Sequence, residues 1–87
     1  MYRIQFMEAA TRELGELDKP VARRIAKRIQ WLAESLDHLK PEALAGSLAG
    51  LHKLRVGDYR VLYTIDDGTA TVEIVAVGHR RDVYRGL

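Results

Sequence analysis

Apolar and cationic residues alternate along residues 51–63, and this alternation is the most regular pattern in the chain. A period of two predicts β-strands that have one face in the core. The pattern is interrupted at Gly57 and Asp58, which suit a tight turn because glycine tolerates positive φ and aspartate can hydrogen-bond to nearby backbone. The segment therefore predicts two strands joined by a turn, with the long cations Lys53, Arg55 and Arg60 standing on the sheet.

The residues before this segment predict one strand and two helices. Residues 2–7 alternate and predict the first strand, and residues 8–17 predict a short helix. Asp18 and Pro20 mark the start of a longer helix, because Pro is tolerated in the first helical turn. An apolar stripe recurs along this helix at helical spacing, at Val21, Ile25, Ile29, Leu32 and Leu36. The basic residues Arg23, Arg24, Lys27 and Arg28 are interpreted as its solvated face.

The remaining residues predict a loop and a final hairpin. Residues 37–50 contain one Pro and two Gly and predict a connecting loop, with one helical turn at 41–45. Asp66–Thr69 carries hairpin-turn residues, and the β-branched run from Thr71 to Val77 predicts the last strand. We therefore expect a small single α+β domain over residues 1–87: an N-terminal strand, two helices, and a three-stranded antiparallel segment that completes one sheet with the helices on one face.

A two-residue loop at Asp67 and Gly68 would fix the register of the last hairpin. In that register Arg60 lies opposite Val75, and Arg60 and His79 project from one face of the sheet, outside the core. The other face carries the apolar or aromatic residues Val61, Tyr63, Val72 and Ile74, which we expect to pack on the helices.

Composition narrows the classes of function. The chain of 87 residues has no Cys and three scattered His, so we expect neither disulfides nor a metal site, and no cofactor. No apolar run approaches membrane-spanning length, and the N-terminus lacks the apolar core of a signal peptide. We therefore expect a cytoplasmic protein that does not engage a membrane.

The charges are unevenly placed, although the net charge is only +2. Basic residues cluster at 19–28, 53–60 and 79–85, and such clustering indicates an anionic partner, of which nucleic acid is the commonest. Sheet-mounted cations beside an imidazole and a phenol are suited to holding phosphates. A solvated sheet face, or an edge strand protected by charges, explains the same residues without any ligand.

Two segments resemble the RelE/ParE superfamily of toxins from toxin–antitoxin systems, and the resemblance is closer to its RelE-like branch. They are residues 48–63 (LAGLHKLRVGDYRVLY) and 77–84 (VGHRRDVY), and the order of strand, two helices and sheet extends the resemblance over nearly the whole chain. RelE-like toxins cut mRNA in the ribosomal A site. The resemblance therefore implies an mRNA endoribonuclease whose partners are a cognate antitoxin, the ribosome and mRNA.

The resemblance also implies roles for individual residues. Lys53 matches a lysine of the RelE active face, Arg60 its central phosphate-binding arginine, Arg80 the arginine that stabilises the cleaved phosphate, and Tyr84 the C-terminal tyrosine. A second lysine of that face is replaced by Leu51, and His79 stands where a lysine precedes Arg80. The predicted catalytic residues are Lys53, Arg60, His79, Arg80 and Tyr84, and Arg55 and Arg81 are predicted to bind substrate.

Such a site needs no metal, because the 2′-OH beside the scissile phosphate is a nucleophile that RNA itself positions. Arg60 and Arg80 are expected to hold the phosphate, either Lys53 or His79 to accept the proton, and Tyr84 to orient or stack on the substrate. Two alternatives remain. One is a ParE-like inhibitor of DNA gyrase, and the other is a catalytically degenerate toxin that acts with its antitoxin in transcriptional autorepression.

Overall fold

The computed structural model describes residues 1–85 and 87, and its central element is a five-stranded sheet in the order β1-β5-β4-β3-β2. The strands are β1 (Arg3–Phe6), β2 (Glu42–Ala43), β3 (His52–Val56), β4 (Tyr59–Asp66) and β5 (Thr71–His79), and the helices are α1 (Glu8–Gly15) and α2 (Lys19–Ser35). Strand β1 pairs with β5 in parallel, and all other neighbours are antiparallel. The predicted α+β fold is confirmed, with five strands where the sequence indicated four.

Helix α2 forms the core with one face of the sheet, called here the helix face. Ile25, Ile29 and Leu32 of the predicted stripe are at most 2% exposed, and they pack against Val61 and Ile74 of the sheet. Burying each such side chain stabilises the fold by about 1.5–3 kcal/mol. The predicted stripe is confirmed. Among the described residues, no helix is long and apolar enough to cross a membrane.

The helical turn predicted at residues 41–45 is wrong. Glu42 and Ala43 are extended and pair with Lys53 and His52 of β3, and a short 3₁₀ turn follows at Gly46–Leu48. A single helical turn is costly to nucleate and leaves its backbone groups unpaired, whereas pairing with β3 satisfies them. The loop therefore supplies an extra edge strand.

The loop between β4 and β5 is longer than predicted. Asp66 pairs with Thr71, so four residues separate the strands, and the left-handed residue is Ala70 (φ 50°). The carboxylate of Asp66 accepts a hydrogen bond from the backbone N–H of Thr69 at 3.2 Å, which holds this wider turn. The predicted two-residue loop at Asp67 and Gly68 is therefore wrong.

A β-bulge near Val75 shifts the register once more. Tyr63 pairs with Ile74, whereas its neighbour Leu62 pairs with Ala76. The longer loop shifts the pairing of β4 with β5 by two residues, so each side chain keeps its predicted face. The bulge adds one more residue, so the side chains at the end of β5 lie on the face opposite to the predicted one. The core face predicted for Val61, Tyr63, Val72 and Ile74 is confirmed, because all four lie in the core.

The same bulge overturns the predicted neighbourhood of Arg60. Arg60 pairs with Gly78, and His79 pairs with Tyr59, so Arg60 and His79 project from opposite faces rather than from one. Arg60 lies on the face away from the helices, called here the outer face. The predicted pairing of Arg60 with Val75 is wrong because the longer loop and the bulge together shift the register by three residues.

The chain after β5 turns back over the outer face. The backbone N–H groups of Asp82 and Val83 donate to the carbonyl oxygen of His79 at 2.8 and 3.0 Å. The Val83 side chain is buried in a small cluster with Leu62 and Ala76. This second apolar cluster holds the C-terminal residues against the outer face, the face on which Arg60 lies.

Candidate functional site

Three cations stand together on the outer face of strands β3 and β4. Leu54 and Val56 point into the core, so the alternating Lys53 and Arg55 point outward, as the sequence predicted. Arg55 pairs directly with Arg60 across the two strands. Like charges placed opposite each other destabilise a sheet, so sheet stability does not explain this arrangement.

The guanidinium of Arg60 is held by the turn between β3 and β4. Its Nη1 donates to the carbonyl oxygens of Gly57 at 2.9 Å and Tyr59 at 2.8 Å. Gly57 adopts φ 59°, a conformation that favours glycine. No hydrogen bond links the Nε and Nη2 groups to another described residue, so three of the five guanidinium N–H groups have no acceptor among the described residues.

Arg80 reaches the same turn from the C-terminal segment. Its backbone N–H donates to the carbonyl oxygen of Asp58 at 2.8 Å, and its Nε lies 4.0 Å from Oδ1 of Asp58. The Arg80 side chain is about half exposed. The Gly57–Tyr59 turn therefore brings together two of the predicted phosphate-binding residues, Arg60 and Arg80.

Helix α2 contributes a further cation that the sequence did not single out. A methyl group added at Gly57 would lie 3.3 Å from Nη2 of Arg24, so the Arg24 guanidinium stands against the same turn. The sequence places Arg24 within a run of four basic residues that look equivalent. Only the packing of α2 beside the β3–β4 turn distinguishes it from the others.

Lys53 has a carboxylate as its nearest charged partner. Its Nζ lies 3.0 Å from Oε2 of Glu42, the residue directly opposite in β2, and the Lys53 side chain is only 19% exposed. The sequence did not predict this contact, because residues 41–45 were expected to be helical. Lys53 lies in a partly shielded ion pair on the outer face, and Arg60 is its diagonal neighbour across the strands.

His79 lies on the sheet face opposite to Lys53, Arg55 and Arg60. Its ring packs edge-on against Tyr59, with centroids 5.6 Å apart, and its Nδ1 accepts the backbone N–H of Arg81 at 3.2 Å. His79 therefore holds the start of the C-terminal segment, from which Arg80 projects. The Arg81 side chain is exposed.

Tyr84 and Leu51 are the remaining positions that the sequence singled out. Tyr84 follows Val83, which is buried against the outer face, and it is 36% exposed, so part of its surface is open to a ligand. Leu51 is half-buried immediately before β3, and its carbonyl oxygen accepts a hydrogen bond from the N–H of Leu44. A half-buried apolar residue thus stands where the resemblance implied a lysine.

Tyr63 lies beneath the site, on the helix face. Burial, assisted by the negative charge of Glu42, raises the pKa of Tyr63 to about 12, so the phenol stays protonated at neutral pH. Its ring stacks on His52, with centroids 5.5 Å apart. The role of Tyr63 is to support β3 and β4, since a buried neutral phenol does not exchange protons readily at neutral pH.

Three comparisons with known proteins agree with one another. The family described as ParE toxin of type II toxin–antitoxin system, parDE, matches residues 4–84. Toxin RelE of Mycobacterium tuberculosis is 34% identical over 84 residues, covering 97% of this chain and 87% of that protein, and Toxin RelG of the same organism is 37% identical over 86 residues, covering 97% of each. The crystal structure of the toxin–antitoxin complex RelBE2 from M. tuberculosis contains a similar chain, with a TM-score of 0.81 and 32% identity, covering 91% of this chain and 98% of that one.

Proposed function

Since the chain belongs to the ParE toxin family, within the RelE/ParE superfamily of type II toxins, we propose that this toxin is a RelE-like endoribonuclease that cleaves mRNA in the ribosomal A site. The relatives named RelE and RelG support the ribonuclease branch of the family. The proposed reaction is metal-independent and uses the 2′-OH of the substrate as its nucleophile.

The observation that carries the proposal is the meeting of Arg60 and Arg80 at one turn. Gly57 and Tyr59 hold one nitrogen of Arg60, and Asp58 binds the backbone N–H of Arg80 and lies 4.0 Å from its Nε, so both arginines contact the same turn. Permanently charged guanidinium groups stabilise the negative charge that develops on phosphoryl oxygens. Two of them on one turn are suited to binding a single phosphate.

In the proposed reaction the 2′-oxygen attacks the adjacent phosphorus, and the bond from phosphorus to the 5′-oxygen breaks. Lys53 accepts the proton of the 2′-OH, because it shares the outer face with Arg60 while His79 does not. Arg60 and Arg80 stabilise the phosphoryl oxygens, and the departing 5′-oxygen takes up a proton. The products are a 2′,3′-cyclic phosphate and a 5′-OH.

The other predicted residues have supporting roles in this proposal. Arg55 and Arg81 contact neighbouring phosphates, and the exposed ring of Tyr84 stacks on a base. His79 contributes by fixing the backbone from which Arg80 projects.

We further propose that a cognate antitoxin neutralises the toxin in the cytoplasm. The similar chain from M. tuberculosis was solved as part of a toxin–antitoxin complex. The outer-face cations favour an acidic or amphipathic antitoxin segment that folds as it binds. Covering Lys53, Arg60 and Arg80 in this way would remove the phosphate site from RNA.

Gyrase inhibition is the second candidate function, because the matching family is described by its ParE members. Induced expression in growing cells separates the two. The ribonuclease proposal predicts mRNA breaks at fixed positions within codons, only in translated messages. Continued translation with altered plasmid supercoiling and accumulating DNA breaks would favour gyrase instead.

A further inference from the structure

A groove of about 210 Å³ lies between the C-terminal half of α2, residues 39–42 and strand β3. Strand β2 pairs with β3 only through Glu42 and Ala43, so in the described part of the chain the β3 edge after Lys53 has no neighbouring strand on this side. The groove opens where that pairing stops. Its lining includes Arg28, Trp31, Lys40, Pro41, Lys53 and Arg55.

Trp31 gives the groove a flat aromatic surface. It is the only Trp of the chain and is 37% exposed. The guanidinium carbon of Arg28 lies 4.0 Å from the centroid of a Trp31 ring. An accessible indole next to a stacked guanidinium is the combination on which nucleobases stack, because both groups present planar faces.

The charges around the groove favour an anionic ligand. Four cations line it, whereas its one carboxylate, Glu42, is already paired with Lys53. A base that stacks on Trp31 would therefore bring its phosphate near Lys40 and Arg55. An acidic peptide would also satisfy the cations, but the planar pair of Trp31 and Arg28 is better matched by a base.

The groove shares two cations with the proposed active site. Lys53 and Arg55 line the groove and also belong to the outer-face cations beside Arg60. A single-stranded RNA that crosses the outer face can thus reach the groove by passing over the edge of β3. We propose that the groove is a nucleotide-binding subsite for single-stranded RNA, in which a base stacks on Trp31 and Arg28 and a phosphate contacts Lys40 and Arg55. This inference rests on the proposed action on RNA.

The single tryptophan makes direct detection possible. The full chain is titrated with a 5′-fluorescein hexanucleotide whose 2′-oxygens are all methylated, which prevents cleavage because the nucleophile is blocked. Binding is followed by anisotropy, and an unlabelled copy is used to monitor Trp31 fluorescence. We expect a saturable change in Trp31 fluorescence at the concentrations at which anisotropy reports binding.

Variants assign the binding to the groove. Trp31→Ala should weaken binding by about 10- to 100-fold, the usual effect of losing one stacking residue. Arg28→Ala and Lys40→Ala should each weaken it by about 3- to 10-fold. Arg23→Ala is the matched control, since Arg23 is an exposed arginine of α2 outside the groove. It should change the affinity by less than about twofold.

Several results would overturn the subsite. They are binding without a change in Trp31 fluorescence, no binding at about 1 mM oligonucleotide, or equal losses in Arg28→Ala and Arg23→Ala. An acidic hexapeptide with one phenylalanine that saturates Trp31 at lower concentrations than the RNA would identify a protein partner instead. Cleavage assays remain a separate measurement. A chain that binds the blocked RNA through Trp31 but never cleaves mRNA would contradict the proposed enzyme and leave the subsite standing.

Discussion

Nη1 of Arg60 donates a hydrogen bond of 2.9 Å to the carbonyl oxygen of Gly57, and this contact ties the central cation of the site to the turn that precedes its own strand. The same nitrogen also binds the carbonyl of Tyr59. A long side chain on a sheet ordinarily loses conformational entropy when it becomes fixed. The turn between β3 and β4 holds the Arg60 side chain before any ligand binds. Charge stabilisation in a transition state requires this kind of preorganisation.

Gly57→Ala should damage the site more than the fold. The residue has φ 59°, and the new methyl group would lie 3.3 Å from Nη2 of Arg24. We expect a loss of unfolding free energy of about 1–2 kcal/mol and a fall in single-turnover cleavage of about 10-fold or more as the Gly57 carbonyl moves.

Gly15→Ala is the matched control for this change. Gly15 ends α1, and nothing lies within 4 Å of an added methyl group. This variant should cleave at the wild-type rate and be slightly more stable, because Ala favours the helix. Wild-type cleavage by Gly57→Ala would show that the turn does not position Arg60.

Arg60→Ala should separate charge stabilisation from scaffold effects. The side chain is half-buried, and its two hydrogen bonds to the turn contribute about 1–2 kcal/mol to the unfolding free energy. Cleavage should fall by about 10²–10³, the effect of losing one preorganised donor. Arg60→Lys should restore only part of the rate, because an ammonium cannot bind the turn and the phosphate as a fork does.

Arg12→Ala, on α1, serves as the control for losing an exposed arginine. It should leave both cleavage and stability close to wild type. If Arg60→Ala unfolds the protein while the folded fraction cleaves normally, Arg60 is a structural residue.

Lys53→Ala tests the proposed proton acceptor. Nζ of Lys53 lies 3.0 Å from the carboxylate of Glu42, the residue directly opposite in β2. Lys53→Ala should abolish the acid limb of the pH–rate profile and lower the rate by about 10²–10⁴. Glu42→Gln removes the ion pair but keeps the lysine, so its loss of rate should be smaller.

His79→Ala tests the other candidate for the same proton. Because His79 faces Tyr59 rather than Arg60, the acid limb should persist in this variant. A limb that vanishes in His79→Ala and survives in Lys53→Ala would reverse the assignment.

Tyr63→Phe should alter stability only at alkaline pH. Burial raises the pKa of Tyr63 from 10.0 to about 12. The contribution of the protonated phenol to the unfolding free energy is therefore complete below pH 10 and declines as the pH rises toward 12. Wild type should therefore lose stability relative to Tyr63→Phe above pH 10, by at most about 2–3 kcal/mol. Urea denaturation of both proteins at pH 8 and pH 11 measures the difference. A constant difference between the two pH values would contradict the shift.

Regular periodicity made much of the fold predictable. The stripe of α2 and the apolar face of β4 follow spacings that hydrophobic burial enforces, and both predictions are confirmed. The turn at Gly57 was also predictable, since few residues other than glycine accept its φ. The face on which the cations of β3 and β4 lie was predictable as well, because alternation along a strand assigns each side chain to a face.

The sequence could not give the register of β5 or the partners of the cations. Nothing in the run of β-branched residues predicts the bulge near Val75, yet the bulge moves His79 to the face away from Arg60. The ion pair between Glu42 and Lys53 depends on β2, a strand that the sequence did not predict. Contacts of this kind depend on pairing between distant segments, and local propensity does not encode them.

We propose that this toxin cleaves mRNA by 2′-OH attack at a site that contains Arg60 and Arg80. The most direct measurement is single-turnover cleavage of a defined mRNA on programmed ribosomes, with chemical analysis of the new termini. We predict a single cut in the A-site codon that yields a 2′,3′-cyclic phosphate and a 5′-OH, and that is abolished when the attacking 2′-OH is replaced by hydrogen. Intact mRNA, or termini with a 3′-OH and a 5′-phosphate, would overturn the proposed reaction.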